Sequence, residues 1–178
     1  MFFVSLLFIP LFCSYGAQHI VLYHVGERDE EALALLKKHL MGKGFTVSSC
    51  EGRDSIEKHV ELANKINRLR ASLFIAVEFT FGSKEKVMIA VSNARKGEGQ
   101  FLAIEEVPAL YVNSSREFAT LAALPFQKKV LDLPLFPLLG INMPGIFMRI
   151  ECPRDQAGEV LNKVSDSVQK YFSKGMKK

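Results

Sequence analysis

The chain has 178 residues, of which 48% are hydrophobic and 24% are charged. This balance excludes intrinsic disorder and allows one domain with a buried core. The formal net charge is +4, and part of this excess lies in the lysines of the C-terminal tail, residues 174–178. Because the basic residues form no stripe interleaved with aromatic residues, we expect no nucleic-acid partner. No internal repeat, low-complexity stretch or second domain is visible.

The N-terminal stretch, residues 1–12, is apolar and uncharged. It is too short to span a bilayer as a helix and fits the hydrophobic region of a signal peptide. Ser14 and Gly16 place small residues at the −3 and −1 positions of a cleavage after Gly16. No Lys or Arg precedes the apolar run, which is atypical, and a buried N-terminal strand is the alternative. We predict a signal peptide over 1–16 and one mature domain over 17–178, without a transmembrane segment.

Beyond this leader, predicted strands and helices alternate, as judged from apolar runs and helical spacing. In chain order they are strand 19–23, helix 29–43, strand 45–48, a helix opened by a capping box at 54–57, strand 72–77, strand 86–91, a helix opened by a capping box at 114–117 and ended at Pro125, strand 145–148, and a last helix that Pro153 can start. This order predicts a single α/β domain whose mainly parallel, twisted sheet carries helices on both faces.

In such a sheet, functional sites form at the carboxyl ends of the strands. Those ends are His24, Cys50, Glu78 and residues 149–151. Glu78 follows an apolar run, which favours a functional or paired role over simple exposure. His24 is either an ordinary strand-end histidine or a metal ligand, whereas the other histidines, His19, His39 and His59, are expected on the surface or on helix faces.

Two cysteines lie in the predicted mature domain, Cys50 and Cys152. Both follow predicted strands and could form a disulfide in an oxidising compartment, but the sequence does not give their separation. They form no CxxC pair and have no closely spaced histidine, which disfavours a structural zinc site.

The segment over residues 54–79 resembles the zinc-dependent N-acetylmuramoyl-L-alanine amidases of type 3, a family of secreted bacterial cell-wall hydrolases. The resemblance rests on Ala63-Asn64 near a helix end, followed by the strand Leu73-Phe74-Ile75. It extends to the opening strand at 20–22, to the first helix and second strand at 33–47, to the strand at 143–148 and to the last helix. The resemblance implies an amidase-like fold for the whole mature chain and a location in the periplasm or cell envelope.

The family holds zinc with two His and one Glu, and a further Glu takes the proton of the metal-bound water and returns it to the leaving amine. Matched residue by residue, this chain departs from that pattern at nearly every point. His24 stands two positions early for the first His, the Glu ligand matches Glu27, Glu30 or Glu31, the second His falls on Glu78, and the catalytic Glu falls on Arg149. The resemblance therefore implies a degenerate member without zinc and without catalytic activity.

These replacements suggest an ion pair between Arg149 and Glu78 that fills the vacated zinc site. If that pair is buried, breaking it would cost about 3–5 kcal/mol. Glu151 lies two residues beyond Arg149 on the same strand face and offers an alternative catalytic carboxylate. His24, one early glutamate, Glu78 and Glu151 would then form a rearranged metal site, although such a carboxylate-rich set suits harder metals than zinc.

Three functions are consistent with the sequence. The first is an exported, non-catalytic relative of the amidases that binds peptidoglycan, muropeptides or another envelope protein. The second is an active metal-dependent amidase with rearranged ligands, which would need zinc. The third is an unrelated α/β binding domain, because the predicted pattern of strands and helices is common.

Overall fold

The structure of the chain is a computed structural model that describes residues 18–26, 30–99 and 101–175. The predicted signal peptide and Glu27 lie outside the described residues, so both remain predictions. Among the described helices, none is long and apolar enough to cross a membrane.

One sheet organises the described residues. Its strands are β1 (His19–His24), β2 (Thr46–Glu51), β3 (Leu73–Phe81), β4 (Lys86–Ser92), β5 (Val130–Leu133) and β6 (Gly145–Cys152), in the spatial order β2-β1-β3-β6-β4-β5. The first four strands of that order are mutually parallel, β4 is antiparallel to β6, and β5 is parallel to β4. The predicted mainly parallel sheet is confirmed, with two reversed strands at one edge.

Helices cover both faces of this sheet, as predicted. They are α1 (Glu30–Gly42), α2 (Ile56–Arg68), α3 (Val112–Ala123) and α4 (Ala157–Gly175). The core on one face contains residues of α1, α3 and α4, and the core on the other face contains residues of α2 and of the segment 134–144. We call this second side the α2 face, and it carries most of the site described below.

The central strands are buried because both of their faces are covered. Residues 73–77 of β3 and residues 145–148 of β6 are buried without interruption, which explains their continuous apolar sequence. The α4 face predicted from helical spacing is also buried at Val160, Leu161, Val164 and Val168. Hydrophobic patterning therefore identified the strands and helices that form the core.

Helix starts were predicted less well than the core. The cap of α2 is Ser55 rather than Asp54, and its side chain accepts from the Lys58 amide. Helix α3 begins at Val112, so Ser115 lies inside it, where the hydroxyl accepts from the Gly145 amide at 2.9 Å and joins α3 to β6. Helix α4 starts only after a short 3-10 turn over Arg154–Gln156.

The prediction missed strand β5 and a 3-10 helix over Ile104–Tyr111, in addition to shorter 3-10 turns. Strand β5 has only four residues and lies at the edge of the sheet, with Leu131 and Asp132 exposed. The 3-10 helix contains Pro108. Neither element has the long buried face that periodicity detects.

The two cysteines of the mature domain are too far apart to form a disulfide. Cys50 lies on β2 and Cys152 on β6, with β1 and β3 between them. Three strand spacings amount to about 14 Å, whereas disulfide-bonded Cα atoms lie within about 7 Å. Their side chains also project to opposite faces, Cys50 towards the α2 face and Cys152 towards the other. Both thiols are free.

Gly52, just after β2, is a position where we expect any side chain to destabilise the fold. Its amide donates to the His24 carbonyl at 2.7 Å, and a Cβ atom there would lie 2.6 Å from that same oxygen. Because this obstacle is backbone, Gly52→Ala should lower the free energy of unfolding by about 1–3 kcal/mol, measured by urea denaturation.

Gly42, the last residue of α1, provides the control for this substitution, since a Cβ there would meet nothing within 4 Å. Gly42→Ala should be neutral or stabilise the chain by up to about 1 kcal/mol. Equal free energies of unfolding for the two variants would contradict the close approach of β1 and β2.

Candidate functional site

A cleft of about 410 Å³ opens at the carboxyl ends of β1 and β2. Parallel pairing brings these two strand ends to the same edge, and a 3-10 turn of the segment 134–144 forms the opposite wall. The lining residues are Tyr23, His24, Val25, Gly26, Glu51, Gly52, Arg53, Asp54, Phe136 and Pro137. A concave site at strand ends is where an open α/β sheet binds ligands.

Gly26 connects the cleft with Glu78, which lies within β3 rather than at its predicted end, because the strand continues to Phe81. Its φ of +83° lies in the left-handed region that favours glycine, and a Cβ atom there would lie 3.6 Å from Cγ of Glu78. The amide of Val25 donates to the Val77 carbonyl at 2.9 Å, which holds the end of β1 against β3. Glu78 therefore lies immediately beside one end of the cleft.

The floor of the cleft rests on a buried hydrogen-bond network. The Tyr23 hydroxyl donates to Nδ1 of His59 at 2.9 Å and accepts from the Arg53 amide at 3.1 Å. Nε2 of His59 donates to the Leu139 carbonyl at 3.0 Å, and because a carbonyl only accepts, Nε2 carries the imidazole proton. The His59 ring also packs 4.7 Å from that of Phe136.

His59 lies on a helix face, which was one of its two expected positions, but this face is buried, since the side chain is 0% exposed. A sequence signal for this burial exists. His59 stands four and seven residues before Ala63 and Ile66, the other two buried residues of α2, and this spacing places all three on one helix face. The neighbouring charged residues obscure the pattern.

The floor carries no charge at neutral pH. Burial lowers the pKa of His59 below its ordinary value, which the hydrogen bond to the Leu139 carbonyl only partly opposes. Burial likewise raises the pKa of Tyr23, against the influence of Arg53. Charge around the cleft therefore comes from its rim, where Glu51, Arg53 and Asp54 are exposed.

Glu78 and Arg149 are neighbours across β3 and β6. Nε of Arg149 donates to Oε2 of Glu78 at 2.9 Å, so the two side chains form an ion pair. The pair lies at the surface rather than in the interior, because the Arg149 side chain is 56% exposed and that of Glu78 is 24% exposed. The 3–5 kcal/mol expected for breaking a buried pair therefore does not apply.

Glu151 has its own cationic partner. Its two carboxylate oxygens accept from Nζ of Lys86, the neighbouring residue on β4, at 2.9 and 3.1 Å. Glu151 lies on the same face of β6 as Arg149, which places it near Arg149 but farther along the strand. The candidate catalytic carboxylate is thus held in a cross-strand ion pair.

The other candidate ligands lie elsewhere. His24 is 5% exposed and, by strand alternation, projects with Leu22 to the face opposite Glu78 and Glu151. Glu31 pairs with Nη1 of Arg154 at 2.6 Å, and Glu30 is exposed in the first turn of α1.

Within the described ranges, no group of three His, Cys, Asp or Glu side chains is arranged to hold a metal ion. A catalytic zinc site takes three protein ligands on one side of the ion. The residues that the sequence offered, His24, Glu30, Glu78 and Glu151, therefore do not fit such a site, and we derive no step through zinc.

Comparison with known proteins identifies the fold. No protein-family model matches the sequence, and no curated protein matches it. Among solved structures, the catalytic domain of the CD27L endolysin, which targets Clostridia difficile, is similar with a TM-score of 0.58 and 10% identity, over 86% of this chain and 97% of that one.

Two further similar structures are N-acetylmuramoyl-L-alanine amidases, one from Clostridium difficile 630 and one, the CwlV catalytic domain, from Bacillus (Paenibacillus) polymyxa. Both have a TM-score of 0.54 and 12% identity over 88% of this chain. The similarity covers 97% of the first structure and 99% of the second. At this identity the likeness establishes the fold alone. The amidase-like α/β fold is confirmed.

The exposed position of Arg149 leads to a prediction about stability. Arg149→Ala should lower the free energy of unfolding by only about 0.2–1 kcal/mol, because water screens the pair with Glu78. Urea denaturation of this variant, of Glu78→Gln and of the double variant gives the coupling energy between the two side chains. A loss of several kcal/mol would instead indicate that the pair is enclosed.

The buried imidazole makes stability depend on pH. The pKa of His59 is lower in the folded chain than its ordinary value of 6.5. As the pH falls, the imidazole is therefore protonated at a higher pH in the unfolded chain than in the folded one. The free energy of unfolding should therefore fall as the pH drops below about 6.5, by at most about 1.4 kcal/mol per pH unit for one group.

The measurement is the difference between the wild type and His59→Gln across pH 5–8, because groups common to both chains then cancel. We expect this difference to be constant above pH 7 and to shrink at lower pH. A difference independent of pH would show that His59 binds protons equally well in the folded and unfolded chains.

Proposed function

We propose that this chain is an exported, non-catalytic relative of the cell-wall amidases that binds peptidoglycan fragments in the cleft at the ends of β1 and β2. The amidase-like fold supports the relationship, and the apolar leader supports export. One observation supports the proposed loss of catalytic activity. The positions that the resemblance assigns to a zinc-binding His and to the catalytic Glu hold Glu78 and Arg149, which form an ion pair with each other.

Replacement of the zinc-binding His by Glu78 and of the catalytic Glu by Arg149 removes the groups that the family's reaction needs. Amide hydrolysis in the family needs a metal to acidify water and a carboxylate to move its proton. A guanidinium cannot accept a proton near neutral pH, and Arg149 also occupies one oxygen of the Glu78 carboxylate. We therefore assign to these residues a fixed pair of charges beside the cleft, suited to contacting a polar ligand rather than to cleaving it.

The cleft retains the features of a binding site. Its floor contains the uncharged, hydrogen-bonded Tyr23, its opposite wall contributes the ring of Phe136, and its rim carries charges of both signs. Such a surface suits peptide or sugar–peptide fragments that present small apolar groups between polar ones. The alternative, an active amidase with rearranged ligands, is weakened because His24 projects to the sheet face opposite Glu78 and Glu151.

The proposal is tested by separating binding from hydrolysis in one sample. The purified full chain, exposed to zinc and desalted, should retain well under one zinc per chain. It should sediment with insoluble peptidoglycan and release no stem peptide from it, as measured by newly formed amino termini.

A matched variant keeps this test specific to the proposed site. Phe136→Ala removes a ring from the cleft wall and should reduce sedimentation, whereas Leu124→Ala removes an exposed side chain at the end of α3 and should not. Stoichiometric zinc together with released peptide would establish the active amidase instead. Failure of the wild type to sediment with peptidoglycan would overturn binding.

A further inference from the structure

We propose that Arg53 is the carboxylate-binding residue of the cleft, and that it recognises a free carboxylate of a short peptide. This inference rests on the proposed function and specifies which chemical group of the ligand is bound. It concerns a residue that lies in a loop, between the end of β2 and the start of α2, outside the positions to which the resemblance assigns chemistry.

Arg53 is an exposed cation without a carboxylate partner among the described residues. Three other arginines each pair with an acid: Arg116 with Asp132, Arg149 with Glu78, and Arg154 with Glu31. The guanidinium of Arg53 makes no hydrogen bond or ion pair within the described part of the chain, although it lines the cleft. A planar guanidinium binds a carboxylate through two parallel hydrogen bonds.

The backbone of Arg53 is held in place by hydrogen bonds, whereas its guanidinium makes none within the described residues. Its amide donates to the Tyr23 hydroxyl at 3.1 Å, and that hydroxyl is bonded in turn to the buried His59. Gly52, immediately before it, is bonded to the His24 carbonyl. The guanidinium therefore extends from an anchored point at the edge of an uncharged floor, which limits the conformational entropy lost when a ligand binds.

The surrounding charges favour a carboxylate over a phosphate. Glu51 and Asp54 flank Arg53 in the lining of the cleft. Two carboxylates beside one guanidinium repel a dianion more strongly than a monoanion. The opposite wall, with Phe136 and Pro137, accepts small aliphatic side chains. A short peptide combines such side chains with a singly charged carboxylate.

The test uses the full chain and isothermal titration calorimetry with two probes. One is a muramyl tripeptide with free carboxylates, and the other is the same molecule with every carboxylate amidated. The free-carboxylate form should bind about 10- to 100-fold more tightly, as expected for loss of one charge-assisted contact. Arg53→Gln should reduce binding of the first probe to the level of the second and leave the second unchanged.

Arg53→Gln is a mild substitution because it retains the backbone amide that donates to Tyr23. Arg68→Gln is its matched control, since it removes the same charge from the last turn of α2, at the end of that helix away from the cleft. Arg68→Gln should bind both probes as the wild type does. An equal loss in both variants would indicate a general effect of net charge and would overturn the assignment.

The remaining outcomes distinguish this inference from the proposed function. Equal affinity of the wild type for the two probes, with sedimentation on peptidoglycan intact, would overturn the role of Arg53 and leave peptidoglycan binding standing. Binding of inorganic phosphate that competes with the tripeptide and is lost in Arg53→Gln would make this a phosphate site and overturn the carboxylate assignment. Absence of binding to probes and to peptidoglycan alike would overturn both proposals.

Discussion

The hydrogen bond between Tyr23 and His59 is the contact on which the cleft depends. It joins β1 to α2, and the second imidazole nitrogen extends the connection to the segment 134–144 through Leu139. The Arg53 amide completes the network from the turn after β2. Each of these groups would be costly to bury without its partner. Two walls and the floor of the cleft are therefore positioned by one set of mutually dependent polar groups.

Charge at this end of the sheet is balanced between neighbouring strands. Glu78 on β3 is matched by Arg149 on β6, and Glu151 on β6 is matched by Lys86 on β4. Register produces both pairs, because each acid lies directly beside its cation in the ladder. The floor of the cleft, in contrast, is uncharged. Among the residues that line the cleft, Arg53 is the cation, and it lies on the side away from these ladders.

The sequence predicted the parts of the fold that hydrophobic burial determines and missed those that individual tertiary contacts determine. The uninterrupted apolar runs of β3 and β6 predicted the central sheet, whereas the pairing of Glu78 with Arg149 was predicted from the resemblance to the amidases. The capping box at 114–117 was wrong because α3 already begins at Val112, so Ser114 lies inside the helix rather than before it. The burial of His59 was missed because charged neighbours on α2 obscure its helical spacing, and the cleft was missed because the segment 134–144 that closes it has no regular periodicity.

The strand order has a consequence for how the chain acquires its structure. Strand β6 lies between β3 and β4, although it is the last strand in the sequence. The β3–β6 ladder joins residues such as Glu78 and Arg149, which are 71 positions apart. Contacts of such high sequence separation slow folding. A chain emerging from its amino end would keep two open sheet edges until β6 arrived, so we expect the domain to fold after its synthesis rather than during it.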